Sequence, residues 1–237
     1  MKNFHVALAV ILLFVVSSSC KKITGKGPVV VESRQTASFD ALNLNIPANL
    51  YFKQDAVFKV ELQAQENILE EIETVVLNNE LQVRFRHEIT KVRTSDGITV
   101  LVNGPTLHSW KVSGSGYLEI TDPITPANMV LQVNGSGNLK VNKVNTTEVN
   151  AGIDGSGQIS VTGNANTNNL SVNGSGLINA LDLQVKDAHA NIRGSGNINL
   201  FATQTLDATI SGSGDILYNG SPAVTTHISG SGTVRHQ

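Results

Sequence analysis

Val133-Asn134-Gly135-Ser136-Gly137-Asn138-Leu139 and, twenty residues on, Ile153-Asp154-Gly155-Ser156-Gly157-Gln158-Ile159 decide how this chain folds. Each reads aliphatic, polar, Gly-Ser-Gly, polar, aliphatic. The tripeptide also stands at Gly114-Ser115-Gly116, Gly174-Ser175-Gly176, Gly194-Ser195-Gly196, Gly212-Ser213-Gly214 and Gly230-Ser231-Gly232, with intervals of 21, 20, 19, 20, 18 and 18 residues. A near-constant period with identical punctuation marks a stacked repeat.

Aligned on the first glycine, the repeats form columns. Two positions before it stand Val112, Val133, Ile153, Val172, Ile192, Ile210 and Ile228, β-branched every time. Four positions after it stand Leu118, Leu139, Ile159, Ile178, Ile198, Ile216 and Val234. Four before it come Trp110, Leu131, Ala151, Leu170, Ala190, Ala208 and Thr226, while the intervening position is polar or glycine. Alternation with period 2 on both sides of a glycine pair, at this spacing, predicts an all-β fold: a parallel β-solenoid, a single-stranded β-helix with coils of roughly 20 residues. Right-handed winding is expected from the handedness of parallel crossovers. The Gly-Ser-Gly stretches read as bends between sheets. The segments around Pro123 and Pro126, Asn164-Ala165-Asn166 and Gly220-Ser221-Pro222 read as outer loops, where length changes are tolerated.

The N-terminal region differs. Val6 to Val16 is an apolar run of 11 residues behind Lys2, too short to span a bilayer and suited to a signal peptide over residues 1–19. Ser17-Ser18-Ser19 precede Cys20, the single cysteine. This order resembles a lipoprotein signal, cleaved between Ser19 and Cys20 and lipidated on Cys20, although Ser17 stands where leucine is usual. A lipidated Cys20 leaves no thiol for disulfides, metals or catalysis. Residues 20–38 read as a lipid-anchored polar tether, 39–109 as N-terminal β coils and 110–237 as the seven repeats, with 39–237 one continuous domain. Within 39–109, turns are expected at Pro47-Ala48-Asn49, Gln54-Asp55 and Asn78-Asn79. Glu66-Asn67-Ile68-Leu69-Glu70-Glu71-Ile72-Glu73 reads as a short capping helix, with Ile68, Leu69 and Ile72 on one face.

Composition excludes some partners. Beyond residue 19, 16 basic residues stand against 19 acidic ones, so nothing favours a nucleic-acid backbone. Aromatic residues are 5% of the chain, with one tryptophan, which argues against an extended stacking platform.

The repeat pattern resembles the family called auto-transporter adhesin, head GIN domain. The C-terminal run Leu206-Asp207-Ala208-Thr209-Ile210-Ser211-Gly212-Ser213-Gly214-Asp215-Ile216-Leu217-Tyr218-Asn219-Gly220-Ser221-Pro222 carries the resemblance, as do the strands from Phe39 to Phe85. The resemblance implies an exported protein of the Bacteroidetes type. It brings no catalytic or ligand residues.

Candidate chemistry is sparse. The serine column could template a repetitive ligand such as glycan or ice, but flanking glycines fit a hydroxyl ladder at the bends better. No nucleophile elbow is present, since the glycines adjoin the serine. Repeated calcium turns are not expected, because only Asp215 is acidic after a Gly-Ser-Gly. His87, His108, His189, His227 and His236 lack ligand spacing, so neither metal nor cofactor is expected. Arg84, Arg86, Lys91 and Arg93 near Glu88 read as a solvated basic face with a surface-binding patch as the alternative. The acidic helix could supply paired carboxylates, though glycosidases need a cleft between them.

The expected product is a non-catalytic, adhesin-like binding or structural module, held to the outer membrane of a Gram-negative cell through its lipid. Its ligand, a glycan or a protein, is not named by the sequence. A polysaccharide lyase or hydrolase on a β-helix is the alternative, disfavoured by short coils. The open C-terminal edge is expected to dock a second copy or another partner.

Overall fold

The structure, a computed structural model, describes residues 21–237 apart from Glu88; the segment expected to be a signal peptide, with its expected cleavage site at Ser19 and Cys20, lies outside the described residues. In each repeat one strand enters the Gly-Ser-Gly bend and another leaves it, as Asn128–Gly135 and Asn138–Asn145 do. Entering strands pair in parallel, putting Gly114, Gly135, Gly155, Gly174, Gly194, Gly212 and Gly230 in one register column. Leaving strands stack the same way through Leu118, Leu139, Ile159, Ile178, Ile198, Ile216 and Val234. A short third side returns the chain, with Val144 beside Gly163 and Gly163 beside Leu183. The architecture is the expected parallel β-solenoid.

Alternation places the aliphatic columns inside. Val112, Val133, Ile153, Val172, Ile192 and Ile210 are buried, as are Leu118 to Ile216 of the second column. Each such side chain contributes about 1.5–3 kcal/mol by leaving water. The columns end in solvent, where Ala223–Gly230 is exposed along its length.

The bends are closed by the backbone. Ser136, Ser156, Ser175 and Ser195 each donate a backbone N–H to the first glycine carbonyl of the preceding coil at 2.9 Å. A Cβ at Gly155 would sit 2.4 Å from the Gly135 oxygen, at a φ of +132° that side chains rarely adopt. The serine hydroxyls contribute little to this: Ser231 donates to Ser213 at 3.0 Å at the last coil. The ladder expected of the hydroxyls is therefore built of amides, because the glycine carbonyls point straight along the stack.

The N-terminal region stacks in an order different from chain order. Ala41–Asn45 and Asn49–Gln54 form a coil directly under the first Gly-Ser-Gly coil, with Leu44 beside Val112 and Leu50 beside Leu118. Its bend is Ile46-Pro47-Ala48. The later strands Glu80–Phe85 and Thr99–Gly104 lie on its far side, so the chain runs outward and then passes back to Ser109. There the parallel ladders give way to antiparallel ones: Lys59–Gln65 on Thr99–Gly104, Val29–Arg34 on Lys59–Gln65, and Ile72–Leu77 on Glu80–Phe85.

Helix α1 (Glu66–Leu69) joins two of these capping strands and buries Ile68 and Leu69. The helix stops earlier than expected, because Ile72 is fully buried at the start of a strand of β-branched residues. Asn78 and Asn79, at φ of 50° and 62°, make the two-residue hairpin turn. The segment expected as a tether supplies two strands, Val29–Arg34 and Lys21–Thr24, the latter pairing with Ile89–Arg93.

Within the stacked repeats one fully buried position is polar. Asn168 lies in register between Val149 and Ala188, is fully buried, and neither amide atom has a hydrogen-bond partner among the described residues. Unpaired buried amides cost stability, so Asn168→Val is expected to raise the unfolding free energy by about 1–2 kcal/mol. Urea unfolding checks this, and a less stable variant would refute it.

Candidate functional site

Because inward residues are aliphatic, the chemistry stands on the outer faces of the two long sheets. The face of the entering strands is amide-rich and bonded along the stack. Asn173 Nδ2 donates to Asp154 Oδ1 at 2.8 Å, and Asn169 Nδ2 to Glu148 Oε1 at 2.7 Å and Asn150 Oδ1 at 2.8 Å. Gln132 Nε2 reaches Asp154 Oδ2 at 3.1 Å across the notch left by Gly152, where a Cβ would lie 2.8 Å from Gln132 Oε1. A depression of about 280 Å³ on this face is lined by Asn169, Ser171, His189, Asn191, Asp207 and Thr209.

The face of the leaving strands carries a tighter cluster. Stacking of Tyr117–Ile120 on Asn49–Gln54 brings Tyr51 beside Glu119 and places the Tyr51 and Tyr117 rings 6.2 Å apart, tilted by 66°. Tyr117 and Glu119 point outward together, two residues apart, and the tyrosine hydroxyl donates to Glu119 Oε2 at 2.8 Å. From the next coil, Lys140 Nζ and Asn142 Nδ2 reach Glu119 Oε1 at 3.1 and 3.0 Å. A depression of about 210 Å³ follows, lined by Tyr117, Asn138, Leu139, Lys140, Gln158 and Ser160.

These contacts set the charges. Burial opposes the Glu119 charge, but bonds from Tyr117, Asn142 and Lys140 outweigh it and hold the carboxyl below the ordinary glutamate value of 4.5. Burial, and then the Glu119 carboxylate, push the Tyr117 phenol up, so it stays a donor at neutral pH. A depressed carboxyl stabilises the fold above its unfolded value, and that contribution is lost as pH falls through the folded value. Glu119→Gln should therefore lower the melting temperature at neutral pH and flatten its fall between neutral pH and about pH 3. Parallel acid limbs for the two proteins would refute this.

The structure brings together groups that the sequence set apart. The Ile72–Leu77 hairpin pairs the acidic segment with the basic one: Arg84 Nε meets Glu73 Oε1 at 2.6 Å, His87 Nδ1 meets Glu71 Oε2 at 3.3 Å, and Arg86 Nε donates to the Glu70 carbonyl at 3.0 Å. Lys91 and Arg93 belong instead to the separate two-stranded sheet. A depression of about 420 Å³ in this region is lined by Asn45, Glu73, Arg84, Phe85, Arg86, His87 and Ile89. Of the carboxylates considered for catalysis, Glu73 thus serves a cation of the cap and Glu71 meets His87. His108 and His189 each lie 3.9 Å from a single aspartate, Asp40 and Asp207, and His236 meets the Gly220 carbonyl at 2.9 Å. Among the described residues no three His, Cys, Asp or Glu are grouped to hold a metal.

Sequence reasoning missed the Tyr51–Tyr117–Glu119 cluster, since its tyrosines are far apart in the chain. Reading Ile46-Pro47-Ala48 as a bend without Gly-Ser-Gly would have exposed it, because Tyr51 then falls in the Glu119 column.

Residues 38–222 match the family "Putative auto-transporter adhesin, head GIN domain". Three solved structures are similar. A "putative lipid binding protein" from Parabacteroides distasonis ATCC 8503 is 26% identical, covers 92% of this chain and 100% of its own, and aligns with a TM-score of 0.76. A "putative adhesin" from the same organism is 25% identical, with 92% and 100% covered and a TM-score of 0.75. A "putative adhesin" from Bacteroides fragilis NCTC 9343, 24% identical with 91% and 100% covered and a TM-score of 0.84, shares the fold. No curated protein matches the chain.

Proposed function

Since the chain belongs to the head GIN domain family, we propose that it is an exported, lipid-anchored cell-envelope module that binds through its outer faces and performs no chemistry. The observation that carries this reading is the pair of long flat faces, whose polar side chains repeat coil by coil on a rigid aliphatic stack. Such a surface suits recognition of an extended partner. The adhesin names of similar structures support it, and the apolar run before Cys20 supports export and lipid attachment at the outer membrane. The solenoid's exposed C-terminal edge is the surface through which a second copy would dock. The enzyme alternative gains nothing from the acidic segment, where Glu73 meets Arg84 and Glu71 meets His87.

The test is adhesion of bacterial cells producing the full chain to surfaces coated with glycans or matrix proteins. Producing cells should adhere more than cells without the chain, and Cys20→Ala should abolish the gain by releasing the protein from the membrane fraction. Equal adhesion with and without the chain on every surface would overturn the binding role. Membrane retention of Cys20→Ala would overturn the lipid anchor.

A further inference from the structure

We propose that Tyr51, Tyr117 and Glu119, with Lys140 and Asn142, form a binding site for a neutral oligosaccharide. This deepens the binding-module reading and rests on it. A sugar presents both apolar C–H faces and hydroxyl groups, so its site needs an aromatic surface beside fixed donors and acceptors. Both tyrosines are partly exposed on the outer face, and their rings make one contiguous aromatic patch 6.2 Å between centres. Along the Tyr117 column the later coils carry Asn138, Gln158, Leu177, Asn197, Asp215 and Thr233, none of them aromatic.

The polar partners are arranged in advance. Three donors hold the Glu119 carboxylate, which offers about four acceptor sites, so one remains for a ligand hydroxyl. The Lys140 ammonium has three donors and uses one on Glu119, with its side chain 48% exposed. The Tyr51 hydroxyl bonds to none of the described residues. Pre-arranged side chains lose little freedom on binding, which favours affinity from a shallow surface.

Charge selects among saccharides. Lys140, the cation of the cluster, is neutralised by Glu119 at 3.1 Å. The cluster therefore keeps no cation of its own for a carboxylated or sulfated sugar. Length follows from the stack: Tyr51, Glu119, Lys140 and Ser160 stand one per coil in a single column, about 4.8 Å apart, so the site accommodates several sugar units. The backbone of these interior strands is already paired on both sides, which leaves recognition to the side chains.

The experiment is isothermal titration of the full chain with cellotriose, chitotriose and mannotriose, with trigalacturonate as the acidic comparator. At least one neutral trisaccharide should bind. Tyr51→Ala and Glu119→Gln should each weaken that binding about tenfold or more, and Tyr117→Phe, which keeps the ring, by less. Circular dichroism confirms that each variant is folded, and the near-isosteric Glu119→Gln serves if Tyr51→Ala is not. Absence of binding by all three neutral sugars overturns the inference, while cell adhesion to protein-coated surfaces would still uphold the binding module. Unchanged affinity in folded Tyr51→Ala and Glu119→Gln overturns the site, and binding of trigalacturonate alone overturns the neutral class.

Discussion

Gly194→Ala is expected to lower the unfolding free energy by about 3 kcal/mol or more, whereas Ser195→Ala, one residue on, should change it by less than about 0.5 kcal/mol. Gly194 has a φ of +125°, and a Cβ built there would stand 2.4 Å from the Gly174 carbonyl oxygen. That oxygen cannot yield, because it accepts the Ser195 N–H at 2.9 Å. The backbone conformation alone costs about 1–3 kcal/mol for a residue with a side chain. Relieving the clash must also push neighbouring coils apart, and each ladder bond lost removes about 1 kcal/mol. The smaller entropy of an unfolded alanine returns about 0.4–1 kcal/mol, too little to compensate. No hydrogen bond engages the Ser195 hydroxyl among the described residues, so truncating it removes nothing comparable. Equilibrium denaturation of the two variants beside the parent chain decides the matter, and a Gly194→Ala protein within about 1 kcal/mol of the parent would refute the bend argument.

Trp110→Ala should cost about 3–5 kcal/mol. Trp110 is fully buried, stacks between Leu42 and Leu131 in register, and meets the Phe52 ring edge-on with centres 6.2 Å apart. It stands where the coil bent by Ile46-Pro47-Ala48 meets the first coil bent by Gly-Ser-Gly. The cavity left by truncation would therefore weaken the joint between cap and repeats. In a stack held by neighbour contacts, this should also split a single unfolding transition into a pair. Trp110→Phe should recover most of the loss, remaining within about 1.5 kcal/mol of the parent. It keeps the aromatic contact and removes an indole N–H that has no hydrogen-bond partner among the described residues. Melting followed by circular dichroism tests both variants, and equal losses for alanine and phenylalanine would count against this account.

Particular residues show how much is legible in the sequence. The aliphatic columns beside each Gly-Ser-Gly are readable because alternation and burial are local consequences of a strand that packs on one face. The Asn78-Asn79 turn is readable because asparagine accepts a positive φ. Ile72 reads wrongly as helical: its spacing from Ile68 fits a helix, and only pairing with Phe85 across the hairpin makes it a strand. The serines mark the bend correctly, while the group carrying the ladder is the amide. The Tyr51–Tyr117–Glu119 cluster is readable only once Ile46-Pro47-Ala48 is placed as a bend, since Tyr51 and Tyr117 meet through the register of successive coils.

The coil, its seven glycine bends and the family are legible in residue order alone, because a repeated pattern states the same local rule many times. Long-range packing set the order of stacking at the N-terminal end. There Glu80–Phe85 and Thr99–Gly104 lie outside Ala41–Asn45 and Asn49–Gln54, and antiparallel strands with α1 close the stack. It also decided which polar side chains meet, placing Glu73 on Arg84 and Tyr51 beside Glu119. The reason is that strand alternation says which side a residue faces, whereas the neighbour across a ladder depends on which strand docks there, and that is settled by the packing of the whole chain.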